Sequence, residues 1–262
     1  MPSGAHFLSD DVAAFDANFF GINANEAKAM DPQQRIMLEI AYEAFENAAL
    51  SLEKIAGSET SCYIGNFTTD YKEMLSRDPE HTPQHAVSGT GAEIISNRIS
   101  WFFDLRGPSM TLGTACSSSL VALHQGCQSL HMGESNMALV GGSNLLLNPD
   151  MFQAMSKQQF LANDGLSKSF DAKGDGYGRG EGFAAIILKR FDDAIRDCDP
   201  IRAVIRGSGV NQDGRTKGMT VPNTEAQVDL IRSTYRSAGL DFKDTHYCEA
   251  HVRNPHYRDT CR

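Results

Sequence analysis

Apolar residues recur at three- and four-residue steps through Ile36, Met37, Ile40, Ala41, Ala44, Phe45 and Ala48, the stripe of a helix with one face in a core. Asp31 as N-cap, Pro32 at the first helical position and Gln34 at the third predict a variant of the capping box at its start. Residues 61–67 (Ser-Cys-Tyr-Ile-Gly-Asn-Phe) alternate as a strand does, with Cys62 facing inward. Residues 91–104 predict a helix that carries Ile94, Ile95, Ile99 and Trp101 to the core. A short strand at 109–112 runs into a helix over 117–131, and residues 137–143 and 183–189 read as buried strands.

Further along, 201–206 predicts the first strand of a second set, and 246–251 another. A helix over 224–238, with Ala226, Val228, Leu230, Ile231 and Tyr235 to pack, ends at Gly239 as a C′ residue. The remaining stretches carry less pattern. Phe15, Phe19, Phe20 and Ile22 form a cluster suited to anchoring a surface segment, and residues 24–30 suffice for one or two helical turns. Residues 68–90 are polar and broken by Pro79 and Pro83, and 148–169 is a long connection with an Asn163-Asp164-Gly165 turn. Strands alternating with helices argue for an α/β fold around a largely buried sheet.

Composition narrows the classes of partner. At 262 residues, 41% hydrophobic and 22% charged, the chain is long enough for one sizeable core. A formal charge of −9 argues against nucleic acid and anionic membrane surfaces, which select clustered Lys and Arg. Six cysteines at this length do not form the dense framework of a small secreted domain and point to a reducing compartment. The first residues lack a basic segment followed by a long apolar one, so no signal peptide is expected. The longest strongly apolar runs, such as 183–188, are too short to span a bilayer, and a cytoplasmic location is expected.

Cys116 falls where the predicted strand turns into a helix. The first helical N–H groups lack intrahelical partners, and the positive end of the helix dipole favours a nearby thiolate. Ala115 and Ser117 to Ser119 are small, which leaves room for a substrate to approach. Competing constellations are weaker. His81 and His85 have helical metal spacing, but the nearby Pro79 and Pro83 break such a helix, and Glu39, Glu43 and Glu46 read as a solvated helix face. Cys248, His251, His256 and Cys261 have the ligand types of a zinc knuckle, yet Cys248 to His251 is predicted as strand, so no metal is assigned. The alternating glycines from Gly174 to Gly182 match neither phosphate-loop spacing nor a calcium loop, whose twelfth position would be Gly182. They suit close backbone approach beside a site. A Gly-x-Ser-x-Gly nucleophile elbow does not occur in the sequence. His124 and His131 fall in the helix after Cys116 and read as packing or surface groups.

Thr-Ala-Cys-Ser-Ser-Ser at 114–119, preceded by Arg-Gly-Pro-Ser and followed by Leu-Val-Ala-Leu-His, resembles the active-site segment of β-ketoacyl synthases. Asp-Pro-Gln-Gln-Arg at 31–35, Gly-Asp-Gly-Tyr-Gly-Arg-Gly-Glu-Gly at 174–182 and Asn-Gln-Asp-Gly-Arg-Thr at 211–216 extend the resemblance to ketosynthase domains of large iterative polyketide synthases. The resemblance implies a thiolase-like layered α-β-α-β-α fold built from two similar halves. It implies Cys116 as nucleophile and, in Glu249-Ala250-His251, a histidine that polarises the thioester carbonyl of the extender unit. It also implies substrates carried on the phosphopantetheine of an acyl carrier protein, no bound cofactor, and a homodimer paired through the strand at 109–112. An acidic carrier would need a local basic patch on this acidic chain.

The sequence also departs from the family. After His251 the family's Gly-Thr-Gly-Thr is replaced by Val-Arg-Asn-Pro, the opening strand expected before His6 is missing, and Gly113 stands where an Asp is usual. The expected organisation is a nearly complete N-terminal half over 1–198, the start of a truncated C-terminal half over 199–251, and a divergent tail over 252–262. Acylation of Cys116 with impaired condensation is the leading expectation. The alternative is a non-catalytic remnant acting as a dimerising or interaction module.

Overall fold

Residues 2–251 are described by the computed structural model. In chain order the elements are α1 (Ala24–Ala29), α2 (Pro32–Asn47), α3 (Leu52–Ile55), β1 (Thr60–Asn66), α4 (Asp70–Leu75), α5 (Ala86–Thr90), α6 (Ile94–Phe102), β2 (Ser109–Leu112), α7 (Ser118–Met132), β3 (Met137–Asn144), α8 (Asp150–Lys157), β4 (Gly182–Lys189), α9 (Phe191–Arg196) and α10 (Thr224–Ala238). They divide into two compact units. One comprises Phe7–Asn148 with Gly180–Val204; the other comprises residues 2–6, 149–179 and 205–251.

The first unit is organised on a four-stranded sheet of order β2-β1-β3-β4, in which β1 runs parallel to β2 and β3, and β4 runs antiparallel to β3. Every position of β1 is buried, as a central parallel strand requires. Cys62 and Ile64 of β1 join Leu139 of β3, Met37, Leu38, Ala41 and Phe45 of α2, and Ile95 and Ile99 of α6 in one core. Tyr63, pointing to the opposite face, joins Ala138 and Val140 of β3 with Ala122 and Leu130 of α7 in a second. Each fully buried aliphatic or aromatic side chain here contributes about 1.5–3 kcal/mol relative to exposure. The residues before α1 complete the first core: Phe20 and Ile22 are buried, and the Phe20 ring lies 4.8 Å from that of Phe102.

Asp31 caps α2 as its position predicts, its Oδ1 accepting from Gln33 N at 2.8 Å. The capping box does not form. Gln34 instead donates to the carbonyls of Ser88 (3.1 Å) and Gly91 (3.3 Å) and accepts from Arg98 Nε at 2.9 Å, while the Asp31 amide donates to Gly89 O. Gln33 and Gln34 stand four residues before Met37 and Leu38, on the buried face, and turn to tertiary partners there.

Several expectations are corrected. Trp101 is 74% exposed. It follows Ile95 by six residues, which places it about 240° around the helix from the core stripe. Among the described residues β4 is an edge strand with Ile186 exposed: Phe183, Ala185 and Ile187 pack against the first core, while on the opposite face Leu188 reaches the second core and Ile186 does not. The polar stretch 68–90 holds α4 and α5, and the connection 148–169 holds α8. Residues 201–206 and 246–251 form no strand: among the described residues neither has a ladder partner, and an extended segment becomes a strand only by pairing its N–H and C=O groups.

In the second unit α10 keeps its predicted bounds. The Asn223 side chain accepts from the amides of Glu225 and Ala226, and Gly239 ends the helix in the left-handed conformation at φ 64°. The half-buried face of α10 meets Gly209, whose missing side chain admits Thr234. The alternating-glycine loop passes close to backbone here: a Cβ on Gly178 would lie 1.9 Å from Gly165 O. Its Asp175 is held by Lys168 Nζ (2.8 Å) and Asn163 N (3.2 Å), so this carboxylate serves the loop itself.

Candidate active site around Cys116

β2 ends at Leu112, and Ala115–Ser117 form a single 3₁₀ turn that leads directly into α7. Ala115 adopts φ +56°, a left-handed conformation that costs a non-glycine residue about 1–2 kcal/mol. The turn therefore needs local support, and its hydroxyls supply it. Ser118 Oγ accepts from Thr114 N at 2.8 Å and donates to Ala115 O at 2.6 Å. On the solvent side Ser117 Oγ donates to Thr114 O at 2.8 Å. The serine run is thus a brace for the bend as well as a source of room.

Close approach to the sheet sets where α7 begins. A Cβ on Gly65 of β1 would lie 2.4 Å from Ser119 N, and one on Gly142 of β3 would lie 2.9 Å from Ser119 Cβ. Farther along α7, Gly126 admits Val140 Cγ2. Below the turn, Asn66 closes β1. Its Nδ2 donates to Gln33 Oε1 at 2.8 Å and to Ser143 Oγ at 3.0 Å, and Gln33 Nε2 donates to Thr68 O at 3.0 Å. These buried polar groups satisfy one another and join the 31–35 segment to the strand end under the cysteine. From the sequence Ser118 reads only as a small neighbour of Cys116 and Gln33 only as part of the 31–35 motif, while Asn66 and Ser143 carry no signal of a role at the site. The available signal was a pair of glutamines on the core face of α2, since buried amides demand partners.

Cys116 is exposed and not in a disulfide, at the N-terminal end of a fifteen-residue helix. The other described cysteines differ. Cys62 is fully buried in the first core, and burial pushes its thiol up to about 12. Cys127 is buried in α7, and Cys198 follows the C-terminal end of α9. His251 is exposed, lies on irregular backbone, and belongs to the unit that does not contain Cys116. Cys248 is also exposed, while His256 and Cys261 lie outside the described residues. Among the described residues no group of three or more His, Cys, Asp and Glu side chains is placed to hold a metal, and no helix is long and apolar enough to cross a membrane. His81 is exposed and bonded to Asp78, His131 is exposed and His124 half-buried on α7.

Comparison with known proteins identifies the arrangement. The β-ketoacyl synthase N-terminal domain matches residues 2–194, and the β-ketoacyl synthase C-terminal domain matches residues 202–260. A highly reducing polyketide synthase from Didymella fabae is 63% identical over 94% of this chain, which spans 13% of that protein. The partially reducing polyketide synthase tpeA from Talaromyces stipitatus is 64% identical over 94% of this chain and 10% of its own length. Among solved structures, an oxazolomycin ketosynthase domain from Streptomyces albus aligns with TM-score 0.90 and 37% identity, covering 95% of this chain and 44% of that one. The ketosynthase from module 6 of the bacillaene synthase of Bacillus subtilis aligns with TM-score 0.83 and 40% identity, covering 89% and 40%. The α/β fold is that of these thiolase-like ketosynthase domains, and this chain spans about a tenth of the curated relatives it matches. The chain belongs to the β-ketoacyl synthase family.

Proposed function

We propose that this chain carries the nucleophile-bearing part of a polyketide-type condensing enzyme and that Cys116 accepts the acyl group. The observation that carries this reading is the exposed Cys116 thiol at the start of α7, in a chain of this family. In the first step Cys116 Sγ, as thiolate, attacks the carbonyl carbon of an acyl thioester on the phosphopantetheine of an acyl carrier protein. The tetrahedral intermediate then expels the carrier thiolate, which takes up a proton. In the second step a carrier-bound malonyl unit loses carbon dioxide, its carbanion attacks the Cys116 thioester, and the Cys116 thiolate leaves as the new carbon–carbon bond forms. His251 would polarise the extender's thioester carbonyl, a role that rests on its Glu-Ala-His context. Decarboxylation asks for such donors facing the enolate oxygen.

The family boundary between residues 194 and 202 supports a division near residue 198 into a first part and a second; the match of the second part runs to residue 260 and gives no support to a separate tail over 252–262. A second copy of the chain would pair along β2, an edge strand whose Met110 is 46% exposed. A reactive thiol at Cys116 calls for a reducing, cytoplasmic setting.

The test is intact-protein mass spectrometry after incubation with an acyl-N-acetylcysteamine thioester. An acyl mass increase on the wild-type chain that is absent from Cys116→Ala is expected. A folded chain that gains no adduct would overturn the reading and favour the interaction module.

A further inference from the structure

We infer that Ser118 is the positioning residue of the Cys116 thiol, its buried hydroxyl holding Ala115 in the left-handed conformation that sets the direction of Cys116. The inference deepens the proposed acyl transfer and rests on that reading for its chemical meaning.

Ser118 is the single buried residue between Gly113 and Leu120, while Ser117 and Ser119 on either side are exposed. On the turn its Oγ accepts from Thr114 N at 2.8 Å and donates to Ala115 O at 2.6 Å. That carbonyl belongs to the peptide unit whose nitrogen is the Cys116 amide. Because the unit is planar, fixing its oxygen fixes the plane from which the Cys116 Cα–Cβ bond departs. Ala115 at φ +56° is the residue that would relax if the hydroxyl were removed.

The hydroxyl itself stands on a rigid base. Asn66 O lies 3.4 Å from Ser118 Oγ, and the Asn66 carboxamide is held by Gln33 Oε1 and Ser143 Oγ. The tie is therefore between the end of the central strand, the first turn of α2 and the bend before the cysteine. Ser117 differs in kind: its exposed hydroxyl bonds to Thr114 alone, to O and Oγ1.

The test compares the full chain with Ser118→Ala, Ser117→Ala, and Ser118→Ala combined with Ala115→Gly. Two readouts are taken by peptide-resolved mass spectrometry at Cys116: the rate of acylation by an acyl-N-acetylcysteamine thioester, and the pH profile of alkylation by iodoacetamide. Ser118→Ala is expected to slow acylation at least tenfold and to displace the alkylation profile. Glycine enters the left-handed region without steric cost, so Ala115→Gly is expected to recover several-fold of that loss. Ser117→Ala, whose exposed hydroxyl bonds to Thr114 and not to Ala115, is expected to lose less than Ser118→Ala does. Unchanged acylation and profile in Ser118→Ala, or a loss that Ala115→Gly does not relieve, would overturn the inference. If Ser118→Ala does not fold, Ser118→Thr keeps the hydroxyl and is expected to keep the profile; a displaced profile in that folded variant overturns it instead. A wild-type chain that takes no acyl group at Cys116 defeats the acyl-transfer reading, and the alkylation profile still decides the role of Ser118.

Discussion

Gly65 of β1 and Ser119 of α7 meet backbone to backbone, so close that a Cβ on Gly65 would lie 2.4 Å from the Ser119 nitrogen. The start of α7 thus sits as low on the sheet as a helix can, and Cys116 is presented from that fixed point. Gly65→Ala forces the helix start away from β1. It is expected to cost about 1–3 kcal/mol in stability, as overpacking does, and to slow Cys116 acylation at least tenfold. Urea unfolding and adduct formation measured on the same variant check both parts. Wild-type acylation in a folded Gly65→Ala chain would show that the position of α7 does not set the reactivity of the thiol.

Cys62 and Cys116 lie at opposite extremes of burial. Cys62 is fully buried with its thiol pushed up to about 12, whereas Cys116 is exposed at a helix start. Brief treatment of the native chain with iodoacetamide near neutral pH is expected to modify Cys116 and leave Cys62 untouched; denaturant brings Cys62 into reaction. Peptide mapping with and without urea reads this directly. Modification of Cys62 at the same rate in the native chain would contradict the packing of the first core.

The local pattern carried much of this fold. β2 keeps its predicted bounds, Ser109–Leu112, and α10 its predicted range, Thr224–Ala238, because a short apolar alternation and a capped amphipathic stripe are local signals. The strand-to-helix bend at Cys116 was legible for the same reason. The brace beneath it was not, since Ser118 to Ala115 is a contact of conformation, and Asn66 to Gln33 spans 33 residues of chain. Segments 201–206 and 246–251 failed in the opposite direction. Their β-branched and aromatic residues suit a strand, but pairing is a tertiary event that propensity does not supply.

Trp101 shows the cost of counting apolar residues without their angle. Lying about 240° from Ile95 around α6, it is 74% exposed. As the single tryptophan of the chain, it reports on this face alone. Its fluorescence in the native state is expected to be quenched by acrylamide nearly as readily as after unfolding, and Trp101→Ser is expected to change stability by less than about 0.5 kcal/mol. Strong protection from quencher, or a loss several times larger, would place the indole under a covering surface.

Asp31 combines a helix cap with a buried charge, and the two oppose each other. Burial raises its carboxyl from 3.8 to about 6, although the hydrogen bonds from Gln33 and the nearby Arg35 pull the other way. The native state therefore binds this proton more tightly than the unfolded chain does. Its contribution to stability is fully present below pH 3.8, is lost as pH rises to about 6, and stays lost above that. At 1.36 kcal/mol per unit the loss is of the order of 3 kcal/mol. Asp31→Asn keeps a capping oxygen and removes the titration, at the expense of the bond from Gln33 Nε2, worth about 1 kcal/mol. Unfolding by urea at pH 4 and pH 7.5 is expected to find the variant no better than wild type at the lower pH and more stable by about 1–2 kcal/mol at the higher. Carboxylates held low by surface ion pairs, such as Asp193 and Asp197, titrate in the opposite sense but are common to both proteins and cancel in the difference. A difference that does not change between the two pH values would mean that Asp31 is not the buried acid its surroundings make it.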